Sequence, residues 1–363
     1  MPYEIEFHPV GDGERSGDAI TLRYWDRSAW RVMVIDGGYQ ATGEEVRDHI
    51  RSFYGTNHVD YVVSTHPDND HISGLRVILS EMSVGQLWLH VPHFHAARII
   101  HLFRSDRWKV ENLANALRRA YPVVEELINL ATAQGTQIDG PFQGARIGPF
   151  TVLSPTLAMY DGLLPQFRDT PQYDGGILAA LGHLISGVGR RFSQAIRYAV
   201  QEDWWTETLR EAGTTAAENE SSVVLYGDLG AGPILLTADA GIVGLTAAAN
   251  YADAVGLPLG HSLSLFQVPH HGSRNNVSPG VLNRLVGPVL LPGQFHPAGC
   301  IISAGANDPT HPRQVVVNAL VRRGLNPTVT RGNTTRFVHG MQDRQGWTTA
   351  PTLQMAPSVE EYD

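Results

Sequence analysis

The 363-residue chain has a single cysteine, Cys300, and a single lysine, Lys109. One thiol excludes both an internal disulfide framework and a thiolate cage for a metal. No G-x-S-x-G turn leads into a helix, so neither a cysteine nor a serine nucleophile stands out. Long apolar runs are also missing. No stretch reaches the roughly 18–20 uncharged apolar residues that a membrane-crossing helix needs. The opening Met1-Pro2-Tyr3-Glu4-Ile5-Glu6 shows neither a basic segment nor an apolar signal core. A cytoplasmic location without a membrane partner is the resulting expectation. Positive charge is scarce: a net charge of −9 argues against broad nonspecific binding to nucleic acid, which runs on phosphate neutralisation. Arginine supplies all the basic residues but one, a bias that codon usage explains simply, although guanidinium forks also suit phosphate. Arg98, Arg104, Arg107, Lys109, Arg118 and Arg119 fall in one stretch and Arg190, Arg191 and Arg197 in another, which predicts two moderately basic patches on an acidic body.

What is present suits a large core. An apolar content of 42% fills one big domain or two small ones. Period-2 patterns predict early strands over residues 3–7, 19–24, 31–35, 61–64 and 86–90. Helical spacing marks residues 44–53 and 96–133, and strands return over 145–153. Residues 156–217 break the pattern. A Pro/Gly/Asp-rich loop leads there into amphipathic stretches at 177–184 and 192–209, read as a helical insertion that serves as a lid, a dimer surface or plain elaboration. Strands and helices then alternate from 222 to 340, with a helix over 312–323, and residues 341–363 look like a polar, loosely packed tail.

The segment Ser64-Thr65-His66-Pro67-Asp68-Asn69-Asp70-His71-Ile72-Ser73-Gly74 follows an apolar strand pattern and places two imidazoles and two carboxylates within six positions. An extended chain aims His66, Asp68 and Asp70 to one side, with His71 turning in beside them. A plain Asn- and Asp-rich turn needs neither histidine. Nitrogen and oxygen donors without a thiolate suit divalent ions of the zinc-to-magnesium range. These four residues are candidate metal ligands.

Other motifs fall in order along the chain. Asp36-Gly37-Gly38 ends an apolar strand, Asn219-Glu220-Ser221-Ser222 opens another, and Thr237-Ala238-Asp239 closes a third. Pro269-His270-His271-Gly272-Ser273 comes next, and Asn307 leads to His311-Pro312. Together they resemble the metallo-β-lactamase superfamily over about residues 5–340, with the HxDxDH form of its signature that is typical of the ComEC-like branch. The resemblance implies an α/β fold of the αββα sandwich kind over residues 1–340, carrying the 156–217 insertion, with 341–363 as a tail. It implies two divalent ions. His66 and Asp68 would serve one and Asp70 and His71 the other, with Asp239 bridging them and His271 as the late ligand. His311 is the rival late ligand. His270, Ser273, Asn307 and His311 are the candidates for proton donation or substrate contact, and Asp36 is expected to orient a histidine rather than bind metal. Ala238 stands where the family has glycine, and Gln267 where relatives have lysine. The histidine that many relatives place before the bridging aspartate is missing from residues 218–222.

Asp68 in place of histidine hardens one site and favours manganese, leaving zinc and magnesium open. A water whose pKa is lowered by metal attacks as hydroxide. The expected function is therefore a dimetal hydrolase, a phosphodiesterase or nuclease acting on a phosphodiester or nucleic-acid substrate. Two alternatives stay open. One is a lactamase or thioesterase of the same fold. The other is a partner-dependent binding or effector module, docking as a homodimer or on another protein through residues 156–217.

Overall fold

The computed structural model describes residues 1–11, 15–103, 108–171 and 198–362. In chain order, β1 (Tyr3–Phe7), β2 (Ala19–Trp25) and β3 (Trp30–Gly37) form a meander. Strands β4 (His58–Val63), β5 (Ser83–Trp88) and β6 (Gln137–Asp139) follow, separated by helices. The second run comprises β7 (Arg146–Ile147), β8 (Phe150–Ser154), β9 (Tyr198–Gln201), β10 (Val224–Asp228), β11 (Pro233–Leu236), β12 (Leu265–Gln267), β13 (Gly299–Ile302) and β14 (Asn326–Val329). The chain closes with β15 (Thr335–His339) and β16 (Ser358–Glu360).

Two seven-stranded sheets result, in the orders β15-β1-β2-β3-β4-β5-β6 and β14-β13-β12-β11-β10-β8-β7. Each has three antiparallel pairings and three parallel ones. The parallel strands need crossovers, and helices supply them. Side-chain alternation divides the apolar residues between two faces. On β3, Met33 and Ile35 point between the sheets to meet Phe150, Val152, Leu225 and Leu236, while Val32 and Val34 point outward to helix residues such as Leu75 and Ile78. The second sheet repeats this, with Leu235 and Phe266 covered by Leu245, Leu282 and Leu320. This is the αββα sandwich.

Most predicted elements lie within a few residues of their expected bounds. The helix placed at 44–53 begins earlier, as Gln40–His49, and runs on through a wider turn to Tyr54. Its Gly43 lies against Gly74, where an added Cβ would stand 2.3 Å from the carbonyl oxygen. A Cβ on Gly74 would in turn come within 1.9 Å of the Gly37 carbonyl oxygen, so only glycine permits this clamp of the 64–74 loop onto the end of β3.

Two expectations are corrected. Residues 198–209, predicted helical, instead form β9 and an irregular stretch, whereas 177–184 and 192–197 lie outside the described residues. Long-range pairing with β16 wins over local periodicity here, and Val200 and Val359 close the contact against the second core. The end of the tail is packed rather than loose, while residues 341–357 are exposed or half-buried. Val359 is buried, and the buried Glu360 carboxylate accepts from the backbone N–H groups of Gln314 and Val315, at 2.6 and 3.2 Å, at the start of the helix Gln314–Arg322. That places an anion where the helix exposes its unpaired donors.

Glu202, just past β9, is buried and accepts from Arg322 Nη1 at 3.0 Å, Asn318 Nδ2 at 2.6 Å and the Thr208 hydroxyl at 2.6 Å. Glu202→Ala would leave the fully buried Arg322 without its carboxylate, and loss of one member of a buried pair costs about 3–5 kcal/mol. The expected result is an unfolding free energy, measured by denaturant titration, lowered by that amount; a change under about 1 kcal/mol would contradict the assignment.

Candidate metal centre

The site lies at one edge of the sandwich, where the strand ends of both sheets meet. From the first sheet comes the loop after β4. Its backbone is fixed by Ser64 N–H donating to the Trp88 carbonyl (2.8 Å) and Thr65 N–H donating to Asp36 Oδ1 (2.8 Å). Asp68 then opens the short helix Asn69–Ile72, whose first turn carries Asp70 and His71. From the second sheet come Asp239, after β11, and His270 and His271, after β12. Asp36, Ala238, His270 and His271 all have positive φ, between 44° and 57°. Four non-glycine residues in the left-handed region at one sheet edge are costly, and such strain gathers at functional sites.

Hydrogen bonds fix which nitrogen of each histidine faces the centre. The Asp36 carboxylate accepts from His71 Nδ1 at 2.8 Å and from the Thr65 hydroxyl at 2.6 Å, and that hydroxyl accepts from His66 Nδ1 at 3.0 Å. His271 Nδ1 donates to the Ser303 carbonyl at 2.9 Å, and His270 Nδ1 lies 2.9 Å from Asn276 Oδ1. With every Nδ1 engaged, the Nε2 lone pairs point inward. They converge on Asp239: His71 at 3.4 Å and His66 at 3.7 Å from the carboxylate, His270 at 3.6 Å and His271 at 3.8 Å. These spacings exceed a hydrogen bond. The buried His66 Nε2, His71 Nε2, Asp239 Oδ1 and Asp18 Oδ1 have no hydrogen-bond partner. Buried polar atoms left unpaired need an explanation. Ligands each about 2.0–2.2 Å from one ion stand about 3–3.5 Å apart, so the donor set fits a divalent ion.

The electrostatics agree. Burial alone would raise the Asp239 carboxyl pKa, but the imidazoles of His270, His71 and His271 outweigh it and hold the group well below its usual range. Burial pushes His271 down to about 3 and lowers His66, keeping both neutral, the form that ligates metal. Burial also opposes charge on His71, yet Asp239 and Asp36 prevail and raise its pKa well above normal. Asp239 and Asp36 thus favour positive charge at His71.

Ligand atoms of Asp70, His71 and His271 lie within 4.8 Å of one another, as do those of Asp239, His270 and His271. The structure thus brings together His66, Asp70, His71, Asp239, His270 and His271, with Asp36 orienting His71 as expected. His311 sits at the rim, its ring 6.0 Å from His270 and 6.1 Å from His271, with Nδ1 held 3.0 Å from Asp308. Asn307 is exposed, and the Ser273 hydroxyl accepts from the Asn275 N–H at 3.3 Å. Asp68 departs from expectation. Its carboxylate is turned to Arg168 Nη2, at 2.5 and 2.6 Å, and joins none of these groups.

Asp18 escaped the sequence reading. It is buried beside His71 and Asp239, and burial raises its carboxyl pKa to about 7 despite His71, with Asp239 adding to the rise. Its signal was slight: an acid after Gly17, where an added Cβ would come within 2.2 Å of the Asp70 carbonyl oxygen. Gln267 ties this residue in. Its Nε2 donates to Asp18 Oδ2 at 2.9 Å while its Oε1 accepts from Thr237 and Ala238 N–H, setting the strand end that presents Asp239.

The model of the metallo-β-lactamase superfamily matches residues 30–149, a span that includes Asp36 and the 64–74 loop. Among solved structures, the metallo-β-lactamase fold protein YhfI from Bacillus subtilis is similar, at 9% identity over 93% of this chain and 100% of its own, with a TM-score of 0.41. CmlA, a diiron β-hydroxylase from Streptomyces venezuelae, is 10% identical over 91% of this chain and 44% of its own, with a TM-score of 0.34. A mutant metallo-β-lactamase from Cronobacter sakazakii is 16% identical over 39% of this chain and 47% of its own, with a TM-score of 0.23. No curated protein sequence matches.

Asp36→Asn keeps the size of the side chain but removes the charge that fixes His71. Loss of such an orienting carboxylate lowers metal affinity by about 10–100-fold. Calorimetric titration with Mn²⁺ or Zn²⁺ should show that drop, and an affinity equal to wild type would contradict the orienting role of Asp36.

Proposed function

We propose that this chain is a metal-dependent hydrolase acting on phosphodiester bonds. The observation that carries the metal dependence is the set of buried, unpartnered donors, His66 Nε2, His71 Nε2 and Asp239 Oδ1, aimed into one volume. A bound divalent ion would supply Lewis acidity and a lowered water pKa there. Asp70, His71, Asp239 and His271 are the residues that would hold it.

The protein's own groups account for orientation and proton handling. Asp36 and Ser303 hold the imidazoles from behind, so no rearrangement is needed to present them. At the open side, His270 and His311 stack at 26° with their side chains 27% and 22% exposed. Asp308 accepts from His311 Nδ1 much as Asp36 accepts from His71. Burial would raise the Asp308 carboxyl pKa, but His311, Ser16 and backbone N–H groups hold it well below the usual range. His311 is therefore oriented to carry a proton on Nε2 toward a leaving oxygen.

A phosphodiester is favoured because the half-exposed guanidinium of Arg168, paired with Asp68 of the 64–74 loop, matches an anionic oxygen. A long nucleic-acid track has less support. Arg98 pairs with Asp161 at 2.5 Å and Arg118 lies 3.9 Å from Glu125, while Arg104, Arg107, Arg190, Arg191 and Arg197 fall outside the described residues. No described helix is long and apolar enough to cross a membrane.

A substrate panel tests the proposal: bis-p-nitrophenyl phosphate, cyclic dinucleotides, DNA, RNA, an acyl thioester and nitrocefin. Phosphodiester turnover should disappear with chelator and return best with Mn²⁺, and His311→Ala should lower kcat by about 10²–10⁴-fold with metal content unchanged. Turnover of nitrocefin or thioester alone would overturn the phosphodiesterase assignment in favour of the lactamase or thioesterase.

A further inference from the structure

The two positions that the dimetal pattern assigns to a first ion are occupied here by an internal ion pair. Asp68, expected to ligate, gives both carboxylate oxygens to Arg168 Nη2. Residues 218–222, where relatives carry a histidine, instead supply Glu218, whose buried Oε1 accepts from Arg168 N–H at 2.5 Å and from Arg168 Nε at 3.0 Å. The guanidinium thus bridges the two places. It is not a loose surface arm. Phe167 is buried against Tyr121 and Tyr160, with ring centroids 6.3 and 5.8 Å apart, and the Thr170 hydroxyl lies 2.8 Å from that of Tyr121. The backbone on both sides of Arg168 is therefore anchored.

What remains for a first ion is sparse. Among the described residues, the one trio of close ligand atoms that includes His66 pairs it with Asp36 and His71, and Asp36 fixes both from behind. The shared Asp239 would bring the count to two donors, below the three protein ligands that even an open catalytic site keeps. On the other side ligand atoms of Asp70, His71 and His271 lie within 4.8 Å of one another, and the Nε2 atoms of His71 and His271 stand 3.4 and 3.8 Å from the Asp239 carboxylate.

We propose that this centre takes one divalent ion, at Asp70, His71, Asp239 and His271, and that Arg168, held between Asp68 and Glu218, occupies the place of a second ion beside it. A guanidinium serves this role well: it is always charged, presents a fixed fork of donors, and needs no metal-grade geometry. Side-chain exposure of 46% leaves it able to meet an anionic substrate oxygen while still paired with Asp68. The inference rests on the metal-dependent reading above, and the test keeps the two separate.

The test is metal stoichiometry on the full chain, with Mn²⁺ and Zn²⁺ each titrated into chelator-treated protein and bound metal counted by elemental analysis. Wild type should bind one ion tightly, with any second at least tenfold weaker. Arg168→Met frees Asp68 and should tighten the second ion by tenfold or more, and adding Asp68→Asn should abolish that gain. Asp68→Asn alone should leave the affinity of the tightly bound ion unchanged, a result that does not depend on the folding of the Arg168 variant. Two equally tight ions in wild type, or loss of an ion in Asp68→Asn, would overturn the proposal, as would an Arg168→Met that folds and binds like wild type. Binding of no ion by wild type would overturn the metal-dependent reading itself.

Discussion

The carboxylate of Asp239 is the constraint around which this site is arranged. It is buried at the end of β11, with four imidazole Nε2 atoms facing it from 3.4 to 3.8 Å. Leaving a charged group and its neighbours unpaired in the interior is costly, and the arrangement makes sense only with a cation among them. Two of the histidines come from the first sheet and two from the second, so the same charge demand joins the edges of the two halves. The rest follows from holding these groups still. Glycine contacts clamp the 64–74 loop to β3, Asp36 and Thr65 fix the near pair of rings, and Gln267 spans Asp18 and the turn before Asp239.

Much of this was legible in the sequence because the donors are dense and close in the chain. His66, Asp70 and His71 fall within one loop and one helical turn, and Asp239 follows an apolar run that could only be a buried strand. The repeated apolar alternation likewise located most strands. Their assembly into two packed sheets came from the resemblance, because periodicity does not state which strands pair. What stayed hidden depended on contacts distant in the chain. Asp18 is far from every other member of the cluster in sequence, and Arg168 is one hundred residues from Asp68. β9 and β16 are separated by more than 150 residues and each is short; their pairing, with Glu202 and Arg322 buried beside it, overrides the helical periodicity around residue 200.

The main departures from the pattern that the sequence resembles change the charge beside the site. Replacing histidine by Asp68 and omitting the later histidine removes neutral donors and adds an anion. The structure answers with a guanidinium, itself balanced by Glu218. Ala238 keeps the left-handed turn of its glycine counterpart, with its N–H bonded to Gln267 Oε1 at 3.2 Å. Such substitutions alter the charge next to the site while leaving the scaffold intact, and fold alone therefore does not determine the reaction.

The most direct test of the central claim is diffraction from crystals soaked in manganese, with anomalous difference maps collected above and below the metal edge. The account predicts an anomalous peak enclosed by Asp70, His71, Asp239 and His271, with Asp68 still turned to Arg168. A centre without an anomalous peak, or a peak ligated by Asp68 with Arg168 displaced, would contradict it.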